Sequence, residues 1–600
     1  MKSRTLLSIV SAVDFVRETG KALSGSLGLA AIVFLTLAPA RGQGQFVPNS
    51  KNISVCQKLG SQIQGSSGMQ MYCFGRQSTG AALPAARLAS GVINPASRSK
   101  SKGGKGGFIP NVNAANTAED IAPSGVRAFG QSETSIAAAG SYVVEAWNDS
   151  TGFFAPCGSP NNKEELTGFA FSNNGGSTFT DLGGLPNLNC ATSLTEGDPS
   201  VEVYQAGGKT YFYISSIFVP FDVPQNAISV TACQVIGIGS SATLSCGQPI
   251  IAGISSDCQD FSGFIQCSFL DKDFLSLDAA IGKLYVSYTE FGLTDADGAG
   301  QIELAMCDLT LDPANPTCSN GSGFSFSSPA AVPAYVVVSP NNANFCEQEG
   351  AYPAVDPASG DVYVAFEYNW SSNLNGFAPC AVTPTREVLV HIPESCLTST
   401  SPSPCSPPFS QAAVNIVSTT ATQVPGYNRF PSNDFPRIAV SDKAGTVSIV
   451  WNDARSNPLG DILMQSFNLG SLGAVQSAPV KLDNDGTSAL HFLPAVRYAD
   501  SNGLLSVSWY DRRLNPGSAI TDVYAALGVD PRTTGTPSNS RVTDASSNWL
   551  AVSSDIVPNF GDYTDNYLVT TGTGKKASNI FYVGWSDGRL GVPQPFEAHH

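Results

Sequence analysis

Charge is scarce in this chain. Asp, Glu, Lys and Arg together make up 13% of 600 residues, about half the share usual in soluble proteins. Histidine is scarcer still, with only His391, His491, His599 and His600. That nearly excludes a multi-histidine zinc site, and the spacing His-Glu-x-x-His does not occur. A Gly-x-x-x-x-Gly-Lys-Ser/Thr phosphate loop is also missing, so nucleotide hydrolysis has no support. There is no Gly-x-Ser-x-Gly elbow for a serine hydrolase. There is no Cys-x-x-Cys for a zinc ribbon or a thioredoxin-type redox site. After the first forty residues no apolar run is long enough to span a bilayer. The formal charge of −16 argues against attraction to nucleic acid or an anionic membrane.

What is present is turn chemistry and apolar sequence. The 58 Gly and 39 Pro argue against long helices, and 42% apolar residues can build a sizeable core. The length suits two to four domains or one large repeat array. Lys2, Arg4, Arg17 and Lys21 precede an apolar run from Leu27 to Ala38, followed by Ala38-Pro39-Ala40. This reads as a signal peptide over 1–40, shorter in its apolar part than a membrane span, and predicts a secreted protein. Residues 41–127 read as an N-terminal segment ending in a basic Gly/Ser linker, Ser97 to Gly107. The 14 Cys of an exported chain predict disulfides. They fall as near neighbours: 56/73, 157/190, 233/246, 258/267, 307/318, 346/380 and 396/405. Spacing alone leaves the connectivity open. Asn-x-Ser sequons stand at Asn52, Asn148, Asn320 and Asn369.

From Glu133 onward one pattern recurs: a short strand, a Gly-containing turn, then a strand of alternating β-branched and aromatic residues. The seven copies are 132–149, 197–216, 273–290, 351–368, 435–453, 493–511 and 561–587. Their turn glycines, from Gly140 to Gly574, give a mean period of about 72 residues. A third strand can be read after most copies, as in Asp461-Ile-Leu-Met-Gln-Ser-Phe467. Three or four strands per period, with no amphipathic helix between them, predict a propeller blade. The fold class is therefore an all-β propeller over 128–600, with seven blades preferred and six as the alternative. The stretch around 108–130 is the candidate for the strand that seals the ring.

Ser172-Asn-Asn-Gly-Gly-Ser-Thr-Phe179 resembles the Asp-box, Ser-x-Asp-x-Gly-x-Thr-Trp, with Asn174 and Phe179 as replacements. Ser319 to Phe326 is a more degenerate second candidate. Asp-boxes, also called BNR repeats, mark the sialidase-like propellers. The strand pairs ending in Trp-Asn-Asp or Trp-x-Asp-x-Arg also resemble secreted bacterial BNR proteins. The resemblance implies a propeller that takes an extracellular glycan or glycoprotein, either as a glycoside hydrolase of exo-sialidase type or as a non-catalytic glycan- or protein-binding ring. Sialidases hold a substrate carboxylate with three Arg and use a Tyr/Glu nucleophile pair with an Asp acid/base. This chain departs from them. The Phe/Tyr-Arg-Ile-Pro motif is absent, and Phe435-Pro-Arg437-Ile is only a scrambled cousin.

Trp-x-Asp-x-Arg occurs three times, at Trp451/Asp453/Arg455, Trp509/Asp511/Arg513 and Trp585/Asp587/Arg589. Repetition at equivalent positions predicts a structural ion pair. Just ahead of the first strands stand Glu133, Glu196 with Asp198, Asp271 with Asp273, Glu347 with Glu349, Asp434 and Asp562; only the sixth copy has His491 instead. If those strands line the channel, the carboxylates converge on one mouth. There they could bind Ca²⁺, form a glycosidase carboxylate pair, or simply cap strands. The candidate catalytic set is Arg437, Arg497, Glu349, Asp198, Asp434 and Tyr563. Calcium is the one cofactor the sequence makes a candidate. A polysaccharide lyase built on His491 and Tyr498 is a third option. A monomer is expected.

Overall fold

The structure is a computed structural model. It describes residues 107–120, 129–154, 157, 165–221, 223–256, 258–260, 265–291, 300–318, 335–339, 347–370, 386–397, 409–415, 424–427, 435–486, 488–571 and 578–600. Seven antiparallel sheets among them are arranged as a ring, and an eighth, two-stranded one pairs Cys258–Asp260 with Ile265–Cys267. Blade 1 shows the plan: Gln131–Ala139, Tyr142–Asp149, Thr167–Ser172 and Thr180–Gly184 run as a four-stranded meander. The first strands of blades 2 to 7 are Ser200–Ala206, Phe269–Asp278, Glu347–Val355, Arg437–Ser441, His491–Tyr498 and Asp565–Thr571. Each touches the first strand of the next blade, and that of blade 7 touches that of blade 1. The ring therefore closes with seven blades. The first strands surround its axis.

Closure borrows a strand from upstream. Val112 and Asn113 pair with Glu597 and Phe596 on the last strand of blade 7, so the two ends of the described chain share one sheet. The interior lies between blades rather than within them. Ala439, Val450 and Met464 of blade 5, for example, pack on Val496, Val507 and Trp509 of blade 6. A strand covered on both faces has no polar side, which is why Gln131–Ala139 is buried along its whole length.

The recurring aromatic marks register. Trp147, Trp451, Trp509 and Trp585 are fully buried second-strand residues. Trp451, Trp509 and Trp585 each donate Nε1–H to the Asp two residues on, at 2.9, 2.8 and 2.8 Å. The Asp ends the strand, and its Arg in the following turn pairs back to it at 2.7, 2.6 and 2.7 Å. The motif is thus a clamp that locks strand end to turn, with the Arg in the turn rather than on the strand.

Ser172 to Phe179 makes the turn between the third and fourth strands of blade 1. The Asn174 side-chain carbonyl accepts from Thr178 N–H at 3.0 Å. Ser172 Oγ accepts from Gly176 N–H at 3.0 Å, and Phe179 packs against the cluster of Trp147, Ala114 and Ala170. The second candidate turn, 319–326, lies outside the described residues.

Four disulfides are formed by near neighbours: 157–190, 233–246, 258–267 and 307–318. Cys396 is also bridged. Cys56, Cys73, Cys346, Cys380 and Cys405 lie outside the described residues, as do the expected signal peptide and linker. No helix among the described residues is long and apolar enough to cross a membrane.

Candidate functional site at the ring axis

Alternate residues of a strand point the same way, so each first strand presents a ladder of positions toward the axis. The register follows from the aromatic. Arg437 stands opposite Val450, the residue before Trp451. Ser135, Ser200, Phe274, Tyr352, Ala495 and Asp565 hold the equivalent position in the other blades. Two residues earlier come Glu133, Asp198, Lys272, Gly350, Phe435, Leu493 and Tyr563. Two residues later come Glu202, Arg497 and Tyr567 on blades 2, 6 and 7. Each of these three layers carries one cation.

Lys272 centres the first layer. Its ammonium pairs with Asp562 and lies 3.6 Å from Glu133 and 3.8 Å from Asp198, with every one of these side chains fully buried. Asn148 completes the cage. Its amide N–H donates to Glu133, and its carbonyl accepts from Asp198 N–H at 2.6 Å. Asp562 accepts from Tyr427 Oη–H at 2.8 Å. Burial opposes the charge on Lys272, but Asp562, Glu133 and Asp198 outweigh it and hold the lysine above its ordinary range. Asp198 moves upward as well, first because it is buried and then because Glu133 is close. Of the three carboxyls, Asp198 lies farthest from the shared ammonium, at 3.8 Å, and its burial beside Glu133 favours the protonated form.

Tight backbone places this layer. Glu133, Asp198, Lys272 and Leu493 sit at φ of 56°, 55°, 57° and 50°, and bulges interrupt the first strands of blades 1, 3, 4 and 6 just there. Gly561, at φ 87°, passes so close that a Cβ would stand 2.7 Å from Glu133 N. Gly561→Ala is expected to lower stability by more than about 2 kcal/mol, through both strain and displacement of Glu133; chemical denaturation checks it.

Arg437 centres the second layer. Its guanidinium lies 4.2, 4.8 and 5.4 Å from the ring centroids of Phe274, Tyr352 and Tyr563. The residue is 2% exposed and its Nη1 has no hydrogen-bond acceptor. Burial lowers its pKa, with Tyr352 and Asp565 opposing. Tyr563 Oη–H donates to Pro199 O at 3.0 Å, and burial followed by the charge of Asp198 raises its pKa. Arg497 centres the third layer. It pairs with Glu202 across the axis at 2.9 Å, donates to Asn566 O at 3.0 Å, and lies 3.8 Å from Asp565. Its side chain is 20% exposed, which makes it the most accessible of the three cations.

The structure thus brings Arg437, Tyr563 and Asp198 together on the axis, with Arg497 one layer on. Glu349 takes a different position, in register opposite Glu367, which stands opposite Glu387; all three are buried in blade 4. Asp434 lies outside the described residues. The sequence reading missed Lys272, Asn148, Glu202 and Asp565. The available signal for Lys272 was a lysine flanked by Asp271 and Asp273 within the strand Phe269–Asp278. Asn148 is 2% exposed and committed to Glu133, so in the folded ring its sequon is not open to modification.

One further group has metal-like spacing. Donor atoms of Asp461, Asp483 and His491 lie within 4.8 Å of one another. Lys481 Nζ already bridges the two carboxylates, 2.9 Å from each, and His491 Nδ1 is 2.9 Å from Gly460 O. In the next blade the equivalent Arg541 and Asp522 form an ordinary ion pair at 2.5 Å. The chemistry of this group is therefore that of an ion pair in which lysine serves as the cation.

No protein-family model matches this chain, and no curated protein matches it. Among solved structures it is similar to a Hadza microbial sialidase, Hz136, with 11% identity over 73% of this chain and 74% of that one and a TM-score of 0.34. It is also similar to the sialidase of Trypanosoma rangeli, with 10% identity over 82% and 74% and a TM-score of 0.33. A GH43_1 enzyme from Xanthomonas citri matches with 13% identity over 57% and 85% and a TM-score of 0.24.

Proposed function

We propose that this is a secreted, sialidase-like propeller with BNR-type repeats that acts on extracellular glycans as a glycoside hydrolase. The proposed catalytic set is Arg437, Arg497, Tyr563 and Asp198, with Glu349 and Asp434 as further members. The observation that supports it is the axial convergence of the buried Asp198, of Tyr563 and of Arg437, whose Nη1 has no acceptor. A carboxyl that burial and an acidic neighbour push toward its protonated form, as here, suits a general acid. A guanidinium with a free donor is suited to an acidic sugar. The test is hydrolysis of a fluorogenic glycoside panel, sialosides included, by the protein and by Arg437→Ala. Cleavage that drops by about 10²–10³-fold in kcat/KM in the variant is the expected result. No cleavage of any glycoside by folded protein would overturn the reading.

Burial favours a second reading. Asp198 is 0% exposed, while Arg437 and Tyr563 are each 2% exposed, so a sugar reaches them only if the ring opens. A non-catalytic glycan- or protein-binding propeller would use the ring as a rigid scaffold and bind on its outer surfaces. Glycan-array binding without hydrolysis, unchanged in Arg437→Ala, would establish it.

A further inference from the structure

The ring is sealed by a strap, residues 107–120, laid along blade 7. Besides the pairing of Val112 and Asn113, Ile109 N–H donates to His599 O at 3.0 Å and Ala114 N–H to Pro595 O at 2.9 Å. The strap ends at Asp120, which is buried. Its carboxyl accepts from Gln131 of blade 1 at 3.1 Å and from Gln594 of blade 7 at 3.0 Å. One acidic side chain therefore fastens strap, first blade and last blade together.

The same seam holds more acid. Glu145 of blade 1 is fully buried and neither of its carboxyl oxygens has a hydrogen-bond partner. It interacts with Glu597 of blade 7, whose Oε2 is also without one. The packing leaves them no alternative. A Cβ on Gly584 would stand 3.1 Å from Glu145 Oε1, and one on Gly176 would stand 2.8 Å from Glu597 Oε2. Asp149, buried at the end of its strand, adds its charge to that felt by Asp120.

Of the other charged and titratable groups facing this seam, His599 opposes the shift of Glu597, but burial outweighs it. Asp181 accepts from Asn116 N–H at 2.8 Å and is itself acidic. His599 Nδ1 is 2.9 Å from Glu597 Oε1, and the Tyr582 ring lies tilted against His599 with centroids 5.0 Å apart. Arg589 touches the strap at Asn111 but is already paired with Asp587 and Asp544. Burial raises Asp120 to about 7, with Asp149 adding to it. It raises Asp149 to about 6 and lifts Glu145 and Glu597 in the same direction. Carboxyls raised on folding contribute stability that is complete below their unfolded range and is lost as pH rises through the folded values. For this seam the loss runs from about pH 4 to about pH 7.

We propose that the seam is a pH-operated latch: the strap is locked onto blades 1 and 7 while Asp120, Glu145, Asp149 and Glu597 are neutral, and it is released together with Gln594–His599 when they ionise. The test is amide hydrogen exchange on the full chain at about pH 5 and about pH 8, corrected for the intrinsic exchange rate. Protection of 109–115 and 594–599 is expected to fall by about 100-fold at the higher pH, while Thr446–Asp453 of blade 5 changes by less than about threefold. In Asp120→Asn/Glu145→Gln/Asp149→Asn/Glu597→Gln the fall is expected to vanish. Should that variant not fold, Asp120→Asn alone is expected to reduce the fall by at least about threefold. Equal protection of the wild-type seam at both pH values, or a fall unchanged in either variant, overturns the latch.

Discussion

Lys272→Met is expected to destabilise the ring by about 3–5 kcal/mol near pH 7, the range for removing one partner of a buried charge cluster. Methionine fills nearly the same volume, so packing is largely preserved and the loss is electrostatic. Without the ammonium, Asp562, Glu133 and Asp198 face one another at the axis with no cation in their layer. The carboxyls would answer by taking up protons. The penalty is therefore expected to shrink markedly near pH 4.5 and to grow as the pH rises. Guanidinium denaturation of wild type and variant at both pH values measures it. A penalty of equal size at both would mean that Lys272 contributes through packing rather than charge.

Trp509→Ala is expected to cost about 3–5 kcal/mol, as for a large aromatic removed from a close-packed interior. The indole is fully buried between blades 5 and 6 with Val450, Met464 and Val496. Its loss opens a cavity and also removes the Nε1–H donor to Asp511 at 2.8 Å. Trp509→Phe separates the two contributions. It keeps most of the ring surface and loses the hydrogen bond, so it is expected to cost about 1–2 kcal/mol beyond its smaller volume change. Thermal or chemical denaturation of both variants gives the comparison. An alanine variant within about 1 kcal/mol of wild type would contradict the inter-blade core.

The ring was legible because its signals are local. Strand, turn glycine and strand recur as a local unit, and an aromatic near the end of the second strand repeats at the blade period in every blade but the second, where Ser216 stands. Neighbouring cysteines were legible for the same reason: 233 and 246 lie on adjacent strands of one hairpin. The axis was only partly legible. Arg437 and Arg497 stood out as charges in first strands, Arg437 at the start of its strand and Arg497 near the end of its own, but their layer positions depend on register, which the bulges shift. Lys272 was hidden because its meaning comes from Asp562, Glu133 and Asp198 on other blades. No local pattern reports a contact made across the ring. Burial was hidden too, since a carboxylate ahead of a strand looks alike in sequence whether water reaches it or not.

The axial charges are divided by arc. Cations come from blades 3, 5 and 6, as Lys272, Arg437 and Arg497, and their acidic neighbours come from blades 1, 2 and 7, as Glu133, Asp198, Glu202, Asp562 and Asp565. Translated into order of synthesis, the chain makes three acids first, then a lysine and two arginines, and last the acids of blade 7. The partner that touches Lys272 most closely is 290 residues downstream. No partial ring can complete any of the three layers with its full set of partners. The emerging chain must keep its inner faces wet until the seventh blade arrives, and assembly of the axis is the event that tells a finished propeller from an unfinished one.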